Sequence, residues 1–213
     1  MMDGKTILII GSGGHAKVLI DALRCKGASV AGILDRDPLL AGSSLMGVPV
    51  LGDDSQLARY RRQEVVLVNG VGSIRVSDQR RKVYERFKEQ GFCFGSVLHP
   101  SAVVAADVVL EEGVQVMAGA VIQTGCRIGA NCIINTRACV DHDCTIGAHV
   151  HVAPGVTLSG GVTAGASAHI GTGACIIQLV AVGDHALVAA GAVVVSDVPA
   201  HAVVRGVPAR RSP

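Results

Sequence analysis

Residues 135–144, Asn-Thr-Arg-Ala-Cys-Val-Asp-His-Asp-Cys, collect groups able to do chemistry and end with His142 between two carboxylates, Asp141 and Asp143. A carboxylate beside an imidazole raises its proton affinity and fixes its tautomer. That suits a general base taking up a proton near neutral pH. The competing use of these residues is a metal site of His142, Cys144, His149 and His151. Their spacing fits neither a structural zinc pattern nor a helical HExxH motif, so no metal is expected.

A second candidate lies near the start, where the apolar run Ile7 to Ile10 meets Gly11-Ser12-Gly13-Gly14-His15-Ala16-Lys17. Strand, glycine-rich turn and helix start in that order let backbone N–H groups and the helix dipole hold phosphate. The turn is not the GxGxxG fingerprint of a dinucleotide enzyme, and hydride transfer is not indicated.

The elements that must carry these groups differ between the two halves. Residues 1–100 alternate strand-like and helix-like patches: Thr6 to Ile10, Val30 to Leu34 and Val65 to Val68 read as strands. His15 to Lys26, with Val18, Leu19, Ala22 and Leu23 at helical spacing, Ser55 to Arg62 and Val76 to Glu89 read as helices. This grammar predicts a small parallel sheet, an α/β Rossmann-like domain ending near His99-Pro100.

Past Pro100 the period becomes six. Counting by sixes from Val104 to Val194, fifteen of sixteen positions are Val, Ile or Leu, the exception being Ala164. Two residues before each, from Ala102 to Ala192, every side chain is Ala, Val or Cys. Positions two apart share a strand face, so one branched and one small column describe a narrow solenoid filled layer by layer. The small column takes Cys126, Cys132 and Cys144 into the interior as packing groups. A β-sandwich would instead interrupt its alternation at irregular intervals.

Bulk composition leaves a small-molecule substrate as the default. Lys plus Arg number 19 against 17 Asp plus Glu, too small a surplus for a nucleic-acid or anionic-membrane surface. The opening Met1-Met2-Asp3-Gly4-Lys5 lacks the features of a secretion leader, so a cytoplasmic location is expected. Seven cysteines without CxxC spacing read as thiols. The stretch from Cys144 to Gly183 has no Asp, Glu, Lys or Arg, but its short-period pattern does not describe a membrane span.

The hexapeptide period resembles the left-handed parallel β-helix of the hexapeptide-repeat acyltransferases, in which three six-residue faces make one coil. Residues 101–213 would then form this domain and its tail, with about five coils between 101 and 195. With GSGGHAKV and the Asp-His-Asp triplet, the chain resembles the bacterial acetyltransferases of nucleotide-linked amino sugars and the related sialic acid O-acetyltransferases.

That resemblance implies His142 as base and Asp143 as the acidic neighbour that tunes it. It implies acetyl-CoA as co-substrate, with Asn135 and His151 lining the transfer site, Thr172 and Ala190 bordering the pantetheine, and Arg205 and Arg210 in the Gly-Val-Pro-Ala-Arg tail supplying charge for the phosphates. It places the nucleotide-sugar on Gly13, Gly14 and His15, with Asp35 and Arg36 reading the nucleoside and Gly70 bordering the ligand. A 4-amino-4,6-dideoxyhexose acceptor, a role in surface glycan synthesis and a homotrimer follow from the same likeness. The alternatives are sialic acid O-acetylation and a non-catalytic or metal-binding β-helix.

Overall fold

The computed structural model describes residues 4–73 and 78–212. Met1–Gly72 with Gln79–Val97 form one compact unit, and Ser73–Asp78 with Leu98–Pro213 form the other.

The first unit is a five-stranded sheet with β1 (Thr6–Ile10) near its middle, beside β2 (Val30–Leu34) and β5 (Val65–Asn69). Both pair with β1 in parallel, with Ile9 opposite Ile33 and Val68. Parallel pairing demands crossover segments. Helix α1 (Gly14–Cys25) supplies the first, burying Ala16, Leu19, Ile20, Ala22 and Leu23. Val18, expected on its apolar face, is 41% exposed, because Ala16 and Ile20 complete the buried stripe instead. Gly27, at φ +73°, closes the helix by donating to the Arg24 carbonyl.

One helix expected from the sequence changes in this unit. The helix expected at Ser55 to Arg62 is a 3-10 turn over Asp54–Arg59, started by the Asp53 carboxylate accepting from Ser55 N, followed by another over Arg62–Glu64. It buries only Leu57, too little apolar surface to hold a full α-helix. A hairpin of β3 (Ser44–Leu45) and β4 (Val48–Gly52) adds the sheet's outer strands. Its turn, Met46-Gly47, holds both residues at positive φ, and a methionine there hid a turn that Asn-Gly would have announced. Helix α2 spans Gln79–Glu89, and the start expected at Val76 lies outside the described residues.

The second unit is a three-sided parallel β-helix of two-residue strands, paired every eighteen residues. One face runs from Val103–Val104 through Cys139–Val140 to Val193–Val194. The second carries Arg127–Ile128, Thr145–Ile146 and Thr163–Ala164, and the third Ile133–Ile134, His151–Val152 and His169–Ile170. The two columns fill the interior: Ile134, Val140, Val152, Ala138 and Cys144 have no accessible surface. The thiols of Cys126, Cys132 and Cys144 donate to the corner carbonyls of Asp141, Gly147 and Ser159. Burial pushes the Cys144 thiol up to about 12, which leaves it an inert packing group.

Corners from Gly113 to Gly191 turn on a residue in the left-handed region. Down one edge these are Gly125, Asp143, Gly161 and Leu179. Coils approach so closely at other corners that a Cβ on Gly129 would lie 2.6 Å from Ala148 N and 2.7 Å from the Gly147 carbonyl carbon. Backbone cannot yield there, so Gly129→Ala is expected to lower stability by about 1–3 kcal/mol, read as a drop in thermal midpoint. An unchanged midpoint would show that coil spacing is looser than this.

Candidate active site

The β-helix places His142 at the corner that leaves the strand Cys139–Val140. The Asp141 carboxylate accepts from His142 N at 2.8 Å and fixes the turn. Asp143 follows at φ +59°, where the coils on either side have Gly125 and Gly161. Asp tolerates this conformation better than most residues, at a cost of order 1–3 kcal/mol. The turn aims the carboxylate back at the ring: His142 Nδ1–H donates to Asp143 Oδ2 at 2.8 Å.

That hydrogen bond, then the nearby charge of Asp141, raise the His142 pKa above its ordinary value. With Nδ1–H committed, Nε2 is the ring nitrogen left to accept a proton. Both side chains are more than half exposed. They open onto a pocket of about 560 Å³ lined also by Ser159, Gly160, Gly161, Gln178 and Leu179.

Asn135 and His151 meet on another edge. Asn135 Nδ2 donates to His151 Nε2 at 3.0 Å, and His151 Nδ1–H donates to the Ser73 carbonyl at 2.9 Å. Both ring nitrogens are therefore engaged and His151 is buried. His169 packs edge-on against it with centroids 4.9 Å apart, its pKa lowered by burial. Asn131 Nδ2 lies 3.0 Å from His149 Nδ1. The four residues weighed as metal ligands thus face different partners.

Thr172 and Ala190 are exposed, one coil apart on the edge that also carries Thr136, and Gly191 N donates to the Thr172 carbonyl. Arg205 and Arg210 face each other across the closing antiparallel hairpin, beside Arg211, and all three are exposed. None of these residues lines the His142 pocket, so one chain does not bring all the expected transfer residues together.

In the first unit Gly13 caps α1 and Gly14 begins it, and a Cβ on either would meet nothing within 4 Å. Among the described residues the helix start is therefore open on the side of these two glycines, where a helix N-terminus favours an anion. Asp35 holds this turn: its Oδ2 accepts from Ser12 N at 2.8 Å and Ser12 Oγ at 2.5 Å. Partial burial works against the Asp35 charge, but hydrogen bonds from Asp37 N and from Ser12 outweigh it and lower the pKa. Arg36 reaches Asp54 at 3.4 Å. Gly70 N donates to the Ile10 carbonyl, and a Cβ there would meet Ile9 at 2.6 Å. Buried Arg80 clamps the same loop through the carbonyls of Asn69 and Val71.

Sequence reasoning missed Ser12, Arg80 and the pocket wall. Counting eighteen from His142 and Asp143 reaches Gly160 and Gly161, and eighteen more reaches Gln178 and Leu179, so the period could have found the wall. For Ser12 and Arg80 the sequence offers no comparable signal.

An imidazole–carboxylate pair at the mouth of a pocket, on a parallel β-helix, has the geometry that can take up a proton. Residues 6–87 match the model of the PglD N-terminal domain, and residues 107–141 and 125–160 match that of the bacterial transferase hexapeptide repeat. PerB from Caulobacter crescentus, solved with CoA and GDP-perosamine, is 44% identical at a TM-score of 0.90, the match covering 98% of this chain and 97% of that one. The acetyltransferase domain of PglB from Neisseria gonorrhoeae, solved with acetyl coenzyme A, is 35% identical at 0.89, covering 98% and 100%. WeeI from Acinetobacter baumannii is 27% identical at 0.86, covering 98% and 100%. Comparison with the curated proteins finds no match. The chain belongs to the hexapeptide-repeat family of bacterial sugar N-acetyltransferases, with a Rossmann-like domain followed by a left-handed β-helix.

The raised His142 pKa has a direct readout. Its ring protons should titrate in NMR with a midpoint above the ordinary 6.5, and Asp143→Asn should move that midpoint down by removing the hydrogen bond that favours the cation. A midpoint unmoved by Asp143→Asn would show that the pair does not persist in solution.

Proposed function

We infer that this protein transfers acetyl from acetyl-CoA to the amino group of a nucleotide-linked 4-amino-4,6-dideoxyhexose, for surface glycan synthesis. The observation that carries the reading is the His142–Asp143 pair, with Nδ1 held and Nε2 without a hydrogen-bond partner among the described residues, at the mouth of a pocket. The thioester supplies an acyl carbon open to attack. As the sugar nitrogen bonds to that carbon and the carbon–sulfur bond breaks, His142 Nε2 takes the surplus amine proton and the CoA sulfur leaves with the electron pair. Asp143 stabilises the imidazolium. Positioning of the two substrates and proton removal together lower the barrier.

The first unit receives the nucleotide-sugar, its diphosphate at the N–H groups of Gly13, Gly14 and His15. Asp35 acts there at least through its hold on Ser12, with Arg36 and Gly70 bordering the nucleoside and sugar. GDP-linked sugars come first in a panel with UDP and dTDP forms, because the Caulobacter relative was solved with GDP-perosamine. Acetyl-CoA lies along the edge of Asn135, Thr172 and Ala190, its phosphates on Arg205 and Arg210. His151 acts by fixing Asn135, since both its ring nitrogens are taken.

The acetyl-CoA edge and His142 stand on different edges of one chain, at opposite ends of the face that carries Cys139. A homotrimer would set one subunit's edge beside its neighbour's. The outward residues Thr145, Thr163 and Ala181 on the second face are exposed and uncharged, as such packing requires. Light scattering should therefore give three times the 21.8 kDa chain mass, and a stable monomer at micromolar concentration would remove the shared site.

His142→Ala should lower kcat by about 10²- to 10⁴-fold with the fold intact, because the exposed ring supports no core contact. Nearly full kcat at neutral pH would mean that the amine loses its proton by another route.

A further inference from the structure

We propose that Gly160 is a positioning residue for the reaction: by lacking a side chain it gives the His142 imidazole the space in which Nδ1 meets Asp143 and Nε2 faces the pocket. This rests on the reading of His142 as the base.

Gly160 follows His142 by one coil on the same edge, and the ring lies against it. A Cβ at Gly160 would stand 2.5 Å from both His142 Cε1 and Nε2, and 3.1 Å from Cδ2. No backbone turn explains this glycine, because the left-handed position of the corner belongs to its neighbour Gly161. Alanine is therefore compatible with the local chain path, and the cramped partner is the outer end of one exposed side chain. Contrast Gly129, where a Cβ would meet the backbone of the next coil. The need for glycine at 160 is thus placed on the position of the ring rather than on folding.

The corner's two other steps bound the same space. Below, Asp141 and Asp143 fix the His142 turn and ring. Above, Leu179 leans over Gly161, where a Cβ would lie 2.8 Å from its Cδ2. Gly160-Gly161 is therefore a notch between two coils that carry side chains, with the imidazole seated in its lower half and the pocket opening from it.

Gly160→Ala restores ordinary contact only if the ring moves by about 1 Å, a displacement of a reacting group that costs on the order of 10²-fold in rate. The expected result is that fall in kcat, with KM for acetyl-CoA and nucleotide-sugar and the thermal midpoint close to wild type. The backbone N–H remains in Gly160→Ala, so loss of a main-chain donor cannot be the cause.

A double-mutant cycle separates the mechanism from other effects of the methyl group. Placed on His142→Ala, Gly160→Ala should change the residual rate by less than threefold, because the side chain it displaces is gone. Two results overturn the proposal: kcat of Gly160→Ala within threefold of wild type, or an equal loss in the presence and absence of the imidazole. If His142→Ala itself keeps full kcat, the assignment of the base fails first, and that result is distinct from either.

Discussion

The interior of the β-helix holds two side chains per strand, one branched and one small, and every other feature of the second unit follows from keeping that column regular. Eighteen residues per coil stack each strand on its own repeat, so Val140 lies over Ile122 and under Leu158. A register slip of one residue would turn the filled face outward and expose an apolar column. The period is therefore held rigidly, and the corners inherit it.

Rigid corners are what make the site possible. Along one edge the corner step is Thr124-Gly125, then His142-Asp143, then Gly160-Gly161, then Gln178-Leu179, each eighteen residues from the last. The coil before His142 stacks beneath it, and the coil after it presents two glycines. The proposed base and its carboxylate thus stand on a regularly stacked scaffold, exposed yet held by hydrogen bonds within three consecutive residues. Short-range fixation of this kind needs no second domain to orient the ring.

Charge and burial divide the histidines into distinct roles. His142 is exposed beside two carboxylates, and its affinity for a proton is raised. His169 is buried, and its affinity is lowered. His151 lies between Asn135 and the Ser73 carbonyl, with both ring nitrogens engaged. Residue type alone does not separate these three.

By itself the sequence determined the solenoid, its register, the interior place of Cys126, Cys132 and Cys144, and the His142–Asp143 pair. All of these are set by period or by adjacency along the chain, and both are visible without coordinates. Only the tertiary structure decided which groups meet across long separations: Ser12 with Asp35, Arg80 with the loop of Gly70, His151 with Ser73, and the His142 ring with Gly160. It also replaced the helix expected at Ser55 to Arg62 by short turns and added the Met46-Gly47 hairpin. There, few residues are buried and the local pattern is weak, so packing against the sheet rather than propensity sets the backbone path.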